Sequence, residues 1–226
     1  MKFSPFHRSS VTRFSLILVP LLVTSCDEEM SPEPLRHPLV FHTLMAPSVL
    51  APGTSGEVLV GFRVGSSGCW GVETLQVSLE DSSIRIEGNA INSNKPDRAC
   101  LSVIVYDQQQ LMLPALDEGT YDVIAGDLRT TLTVSIDSTS TRENVVYRGP
   151  IIFNGCVDKQ GLRCALGVPE PILWFTGLPA NLDYSKYLVQ GEVASENPCE
   201  NASQCGSELF EKIVAVRTVV EDRLDP

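Results

Sequence analysis

Leu116-Asp117-Glu118-Gly119-Thr120-Tyr121-Asp122-Val123-Ile124-Ala125-Gly126-Asp127-Leu128-Arg129-Thr130-Thr131-Leu132-Thr133-Val134 decides the architecture. Two runs rich in β-branched residues, Thr120–Ala125 and Leu128–Val134, flank Gly126-Asp127. A glycine there supplies the positive φ that a tight hairpin turn needs.

Upstream the same grammar repeats. Glu57–Val64 follows the turn chemistry of Pro52-Gly53-Thr54-Ser55-Gly56. Thr74–Glu80 and Ser83–Glu87 alternate apolar and polar residues at period two, so one face of each strand is buried and the other wet. Leu101–Tyr106 reads as a further strand. No long amphipathic helix interrupts the series. Six or seven short strands across residues 39–136 predict an antiparallel β-sandwich.

The phrase Leu116-x-x-Gly119-Thr120-Tyr121-x-Val123, followed by a hairpin and a last strand, resembles the closing strands of bacterial immunoglobulin-like domains. In such domains the tyrosine buries its ring while its hydroxyl reaches backbone at the corner where the strand begins. The resemblance implies a fold and no activity. Cys69 and Cys100 flank the middle strands, which suits a bridge between loops better than the inter-sheet bridge of antibody domains.

Residues 137–144 are a short polar linker, and from Val145 the pattern changes. Val145–Val157 is a long strand with a bend at Gly149-Pro150, and Arg163–Leu166 is its partner. Pro171–Phe175, Tyr187–Val193 and Lys212–Val220 follow. The helix formers in Glu208–Lys212 keep a helix open as an alternative for residues 208–220, while the β-branched run after them favours a strand. Tyr187-x-Val189-x-Gly191-x-Val193 with a downstream cysteine pair is similar to exported OB-like domains. The expected fold class is therefore all-β: an N-terminal immunoglobulin-like sandwich followed by a small five-stranded OB-like barrel over residues 145–226.

The first 25 residues read as an address. Lys2, Arg8 and Arg13 precede the apolar run Phe14–Val23, which at ten residues is too short to span the roughly 30 Å of bilayer hydrocarbon. Val23-Thr24-Ser25-Cys26 resembles the lipobox of bacterial lipoprotein signal peptides. It implies cleavage before Cys26, acylation there, and residence in the cell envelope facing the periplasm or exterior. An ordinary secretory peptide is the competing reading. Residues 26–38, the lipidated cysteine and an acidic, proline-rich stretch, read as a tether. Loss of Lys2, Arg8 and Arg13 leaves 14 basic against 28 acidic residues, a net charge of −14. That charge argues against nucleic acid and leaves the acyl chains as the evident contact with a membrane.

With Cys26 set aside, six cysteines remain: Cys69, Cys100, Cys156, Cys164, Cys199 and Cys205. Fifteen pairings are open to six cysteines, and spacing suggests Cys69–Cys100, Cys156–Cys164 and Cys199–Cys205. A zinc site is the alternative, but no Cys-x-x-Cys pair exists and the mature histidines, His37 and His42, lie far from the cysteines in sequence. No metal or cofactor is expected.

Catalytic motifs are thin. There is no Gly-x-Ser-x-Gly, and Gly65-Ser66-Ser67-Gly68 lacks the lysine and helix start of a phosphate loop. His37 and His42 read as exposed polar residues near the start of the first domain. Trp70 and Trp174 are candidate stacking platforms for a ligand, or core residues. The expected role is a non-catalytic binding module that recognises protein, peptide or glycan. Alternatives are a structural envelope component and, third, an extracytoplasmic hydrolase. A bare apolar strip or exposed sheet edge would favour a protein partner.

Overall fold

The computed structural model describes residues 33–93, 99–137, 142–157, 160, 162–168, 171–179, 181–182, 186–195 and 212–222. The segment read as a signal peptide, Cys26, Cys199, Cys205 and residues 138–141 of the expected linker lie outside these. The protein is all-β, a sandwich followed by a closed five-stranded barrel, and residues 34–226 form one unit.

The sandwich uses β1 (Arg36–Pro38), β2 (Val40–Pro47), β3 (Val49–Leu50), β4 (Glu57–Gly65), β5 (Trp70–Glu80), β6 (Ser83–Asn92), β7 (Val105–Met112), β8 (Gly119–Ala125) and β9 (Leu128–Val134). One sheet runs β1-β6-β8-β9-β3, with β5 on the other side of β6. Its parallel pairs are β6–β8 and β3–β9. The facing sheet contains β2, β4 and β7. Alternation dictates what enters the core: Val58, Val60, Phe62 and Val64 of β4 meet Ile84, Ile86, Leu128 and Leu132 from across the sandwich. Each such side chain contributes about 1.5–3 kcal/mol on burial. Gly126 turns the β8–β9 hairpin at φ +57°. The Tyr121 hydroxyl donates to Asp117 O at 3.0 Å, the backbone reach expected of that tyrosine.

The barrel comprises β10 (Glu143–Val157), β11 (Arg163–Gly167), β12 (Leu173–Leu178), β13 (Lys186–Val193) and β14 (Lys212–Glu221). Pairing runs β10-β11-β12-β14-β13 and back to β10, with β12–β14 parallel and the other pairs antiparallel. First-second-third-fifth-fourth-first is the strand order of an OB barrel. Residues 212–221 form a strand, so the helix alternative falls there. At Gly149-Pro150 β10 leaves β13, and from Ile151 it pairs with β11. The Tyr147 hydroxyl lies 2.5 Å from Val168 O and 2.8 Å from Pro150 O, and a side chain at Gly149 would collide with it.

No break in pairing separates the two halves. Glu143–Tyr147 of β10 pairs with Thr43–Pro47 of β2 on one edge and with β13 on the other. One eight-stranded sheet, β11-β12-β14-β13-β10-β2-β4-β7, therefore runs through sandwich and barrel.

Three expectations are corrected. Leu101–Ile104 is not a strand; pairing with β4 begins at Val105 and runs on through Gln108-Gln109-Gln110 to Met112. Cys100 is bonded to Cys69, and Leu101 O accepts from Gly68 N, so this stretch is committed to a loop. Arg36–Pro38, placed in the tether by composition, is β1, held by pairing with β6 and by the Arg36–Glu73 ion pair. His42 is buried at 7% exposure, because β2 is covered on both faces.

Candidate functional site

Strand β7 ends the eight-stranded sheet and, among the described residues, pairs with β4 alone. Gln108 N donates to Asp107 Oδ1 at 2.9 Å, so this N–H faces away from β4 and is already occupied within the strand. In an antiparallel ladder both backbone groups of a residue point the same way, so Tyr106, Gln108, Gln110 and Met112 present theirs along the open edge. Edge strands are commonly guarded by lysine, proline or a bulge. The sequence VYDQQQLM contains neither residue, and Tyr106 and Met112 are exposed. The long edge of the other sheet, β5, is better guarded: it carries a register shift at Val72/Thr74, and its Glu73 and Glu80 are paired to Arg36 and Arg85. The glutamine run hid β7 in the sequence, since it breaks the apolar alternation by which strands are found.

His42 occupies a bulge in β2 opposite Phe62 and Gly61 of β4. Its Nδ1 lies 3.0 Å from Thr43 Oγ1, its ring meets Tyr106 edge-on at 5.5 Å, and Nε2 has no hydrogen-bond partner. Burial pushes the imidazole down to about 4, the Phe62 backbone opposing in part. Its hydroxyl neighbour is Thr43. His37 lies on β1 instead, with Nδ1 2.8 Å from Pro38 O.

His37 and Trp70 meet at the end of the sandwich where the chain enters, their ring centroids 4.3 Å apart. The indole lies across Gly65, where a Cβ would fall 2.2 Å from Trp70 Cγ, so only glycine admits it. Cys69 and Cys100 are bonded beside it, Cα to Cα 5.5 Å, joining the β4–β5 loop to the segment before β7. Trp70 is thus half-buried structure beside a loop clamp. Trp174 is fully buried on β12 with Cys164, against Cys156, Leu166 and Ile213. Its face is out of solvent. Cys156 and Cys164 are both in disulfides.

A cleft of about 1000 Å³ lies between the ends of sandwich and barrel. Its two cations are paired, Lys212 with Glu143 and Arg142 with Glu192, and its third carboxylate, Glu57, accepts from Gln110 Nε2. Among the described residues no three of His, Cys, Asp or Glu gather as metal ligands. Comparison with known protein families, characterised proteins and solved structures finds no match to this chain.

Proposed function

We propose that the chain is a lipoprotein of the bacterial cell envelope, acylated at Cys26, that holds a protein partner non-catalytically by strand addition at β7. The open edge of β7 carries the proposal. Strand addition draws affinity from main-chain hydrogen bonds and specificity from alternate side chains. Here the edge offers outward backbone groups from Tyr106 to Met112, with Tyr106 and Met112 as exposed apolar contacts at its two ends. A peptide or protein segment fits this edge better than a glycan, which has no backbone ladder to extend.

The test is photo-crosslinking in living cells from a photoreactive residue at Gln110. The expected result is a covalent adduct with one polypeptide, abolished by Gln108→Pro, which sets a pyrrolidine ring on the open edge in place of the N–H that Asp107 occupies and leaves the ladder to β4 intact. An adduct that survives Gln108→Pro in a normally folded protein, or no adduct at all, would overturn edge addition. Metabolic labelling with a fatty acid tests the anchor separately, since Cys26→Ala should abolish the label.

A further inference from the structure

We infer that the chain-entry end of the sandwich is a membrane-resting tip, which seats the lipid-anchored protein on the bilayer through Leu35, Leu101, Val103 and Ile104. The inference rests on the Cys26 anchor proposed above and adds a second contact to it.

Backbone hydrogen bonds gather these residues at one end of the fold. Leu35 O accepts from Asn92 N, Asn92 is the register partner of Trp70, Ser93 N donates to Cys69 O, and Gly68 N donates to Leu101 O. Leu101 is 80% exposed, Leu35 68%, Ile104 53% and Val103 50%. Isolated exposed aliphatics are ordinary, but four converging on one end of a sandwich are not.

Two features choose lipid as the occupant. The first is covalent reach. Eight residues separate Cys26 from Leu35, and even a fully extended chain gains at most about 3.6 Å per residue, or roughly 30 Å in all. An acylated Cys26 therefore keeps this end within that distance of the headgroups, at high effective concentration. The second feature is charge. The net charge after cleavage is −14, yet Gly65–Trp70 and Ala99–Ile104 contain no charged residue. No charge in those segments must lose hydration when pressed against headgroups, and Trp70 is of the type that favours the interface. The disulfide between Cys69 and Cys100 fixes the loop that presents the aliphatics.

The full acylated chain, reconstituted into phosphatidylcholine vesicles doped with a diazirine-acyl phosphatidylcholine, provides the test. Photolysis should label the Cys26 peptide and also the peptide holding Leu101–Ile104. Leu101→Glu with Val103→Glu should cut the second label by roughly tenfold, as loss of two aliphatic contacts with lipid implies, and leave the first unchanged. Both positions are exposed, and an intact Cys69–Cys100 bond confirms folding. Label at Cys26 alone overturns the tip and leaves the anchor standing. Label at neither site overturns both. A tip that crosslinks to a polypeptide in cells and to no lipid is a protein dock, and that also overturns the inference.

Discussion

Val145 and Val146 are neighbours on β10 and belong to different hydrophobic cores. Val145 packs with Met45 and Tyr147 inside the barrel, while Val146 packs with Leu44 and Phe62 inside the sandwich. Successive side chains on a strand point to opposite faces, so a strand between two cores stitches them together. Met45 and Leu44 on the paired strand β2 divide in the same way.

The first prediction follows from that stitch. Sandwich and barrel should unfold in a single transition, with Trp70 reporting one half and Trp174 the other. Val146→Ala should cost about 1–3 kcal/mol and shift both reporters together. Denaturant titrations of Trp70→Phe and Trp174→Phe, with and without Val146→Ala, measure this; two separable transitions would refute it.

Arg148 forms a second tie. Its guanidinium reaches Asp127 in the β8–β9 hairpin at 3.0 Å and Asp222 beyond β14 at 3.3 Å, and the Asp222 side chain is only 7% exposed. Arg148→Ala strands that carboxylate and should cost about 2–3 kcal/mol. Asp127→Ala should cost under about 0.5 kcal/mol, because Asp127 is 81% exposed. Adding Asp222→Asn to Arg148→Ala should recover part of the loss in thermal unfolding.

Acid should act through His42. Its imidazole titrates near 6.5 when unfolded and about 4 when folded, because burial disfavours the cation. Between these values the unfolded chain binds a proton that the native state refuses. The stabilisation is complete above pH 6.5, falls by about 3 kcal/mol on the way to pH 4, and is flat below. His42→Gln should remove this component. Denaturation midpoints from pH 7 to pH 4 give the difference between the two proteins; parallel curves would refute it.

Removing the loop clamp with Cys69→Ala and Cys100→Ala should cost about 3–4 kcal/mol, the chain-entropy value for a separation of 31 residues. Amide exchange over residues 99–104 should accelerate more than exchange in β4. Uniform acceleration would mean that the bridge stabilises the fold globally and does not hold that segment.

Strands with local signatures could be read from the chain. The Gly126 hairpin, the alternation in Ser83–Glu87 and the bend at Gly149-Pro150 each depend on a few adjacent residues. β2 and β7 had no such signature. Phe41–Ala46 is covered on both faces and so does not alternate, and Gln108–Gln110 shows no apolar period. The same failure concealed the candidate edge, since an unguarded strand is recognised only after its neighbours are known.

Composition, turn residues and period-two patterning were sufficient by themselves to give an all-β chain with a sandwich first, and the barrel second came from five uneven strands and their resemblance to OB-like domains. These are properties of short segments, set by backbone sterics and side-chain burial. Tertiary structure alone decided that β10 lies between β2 and β13, that His42 is buried, that β7 pairs with β4 alone among the described residues, and that Leu35 and Leu101 share one end. Each of these depends on contacts between residues far apart in sequence, whose pairing energy no local window contains.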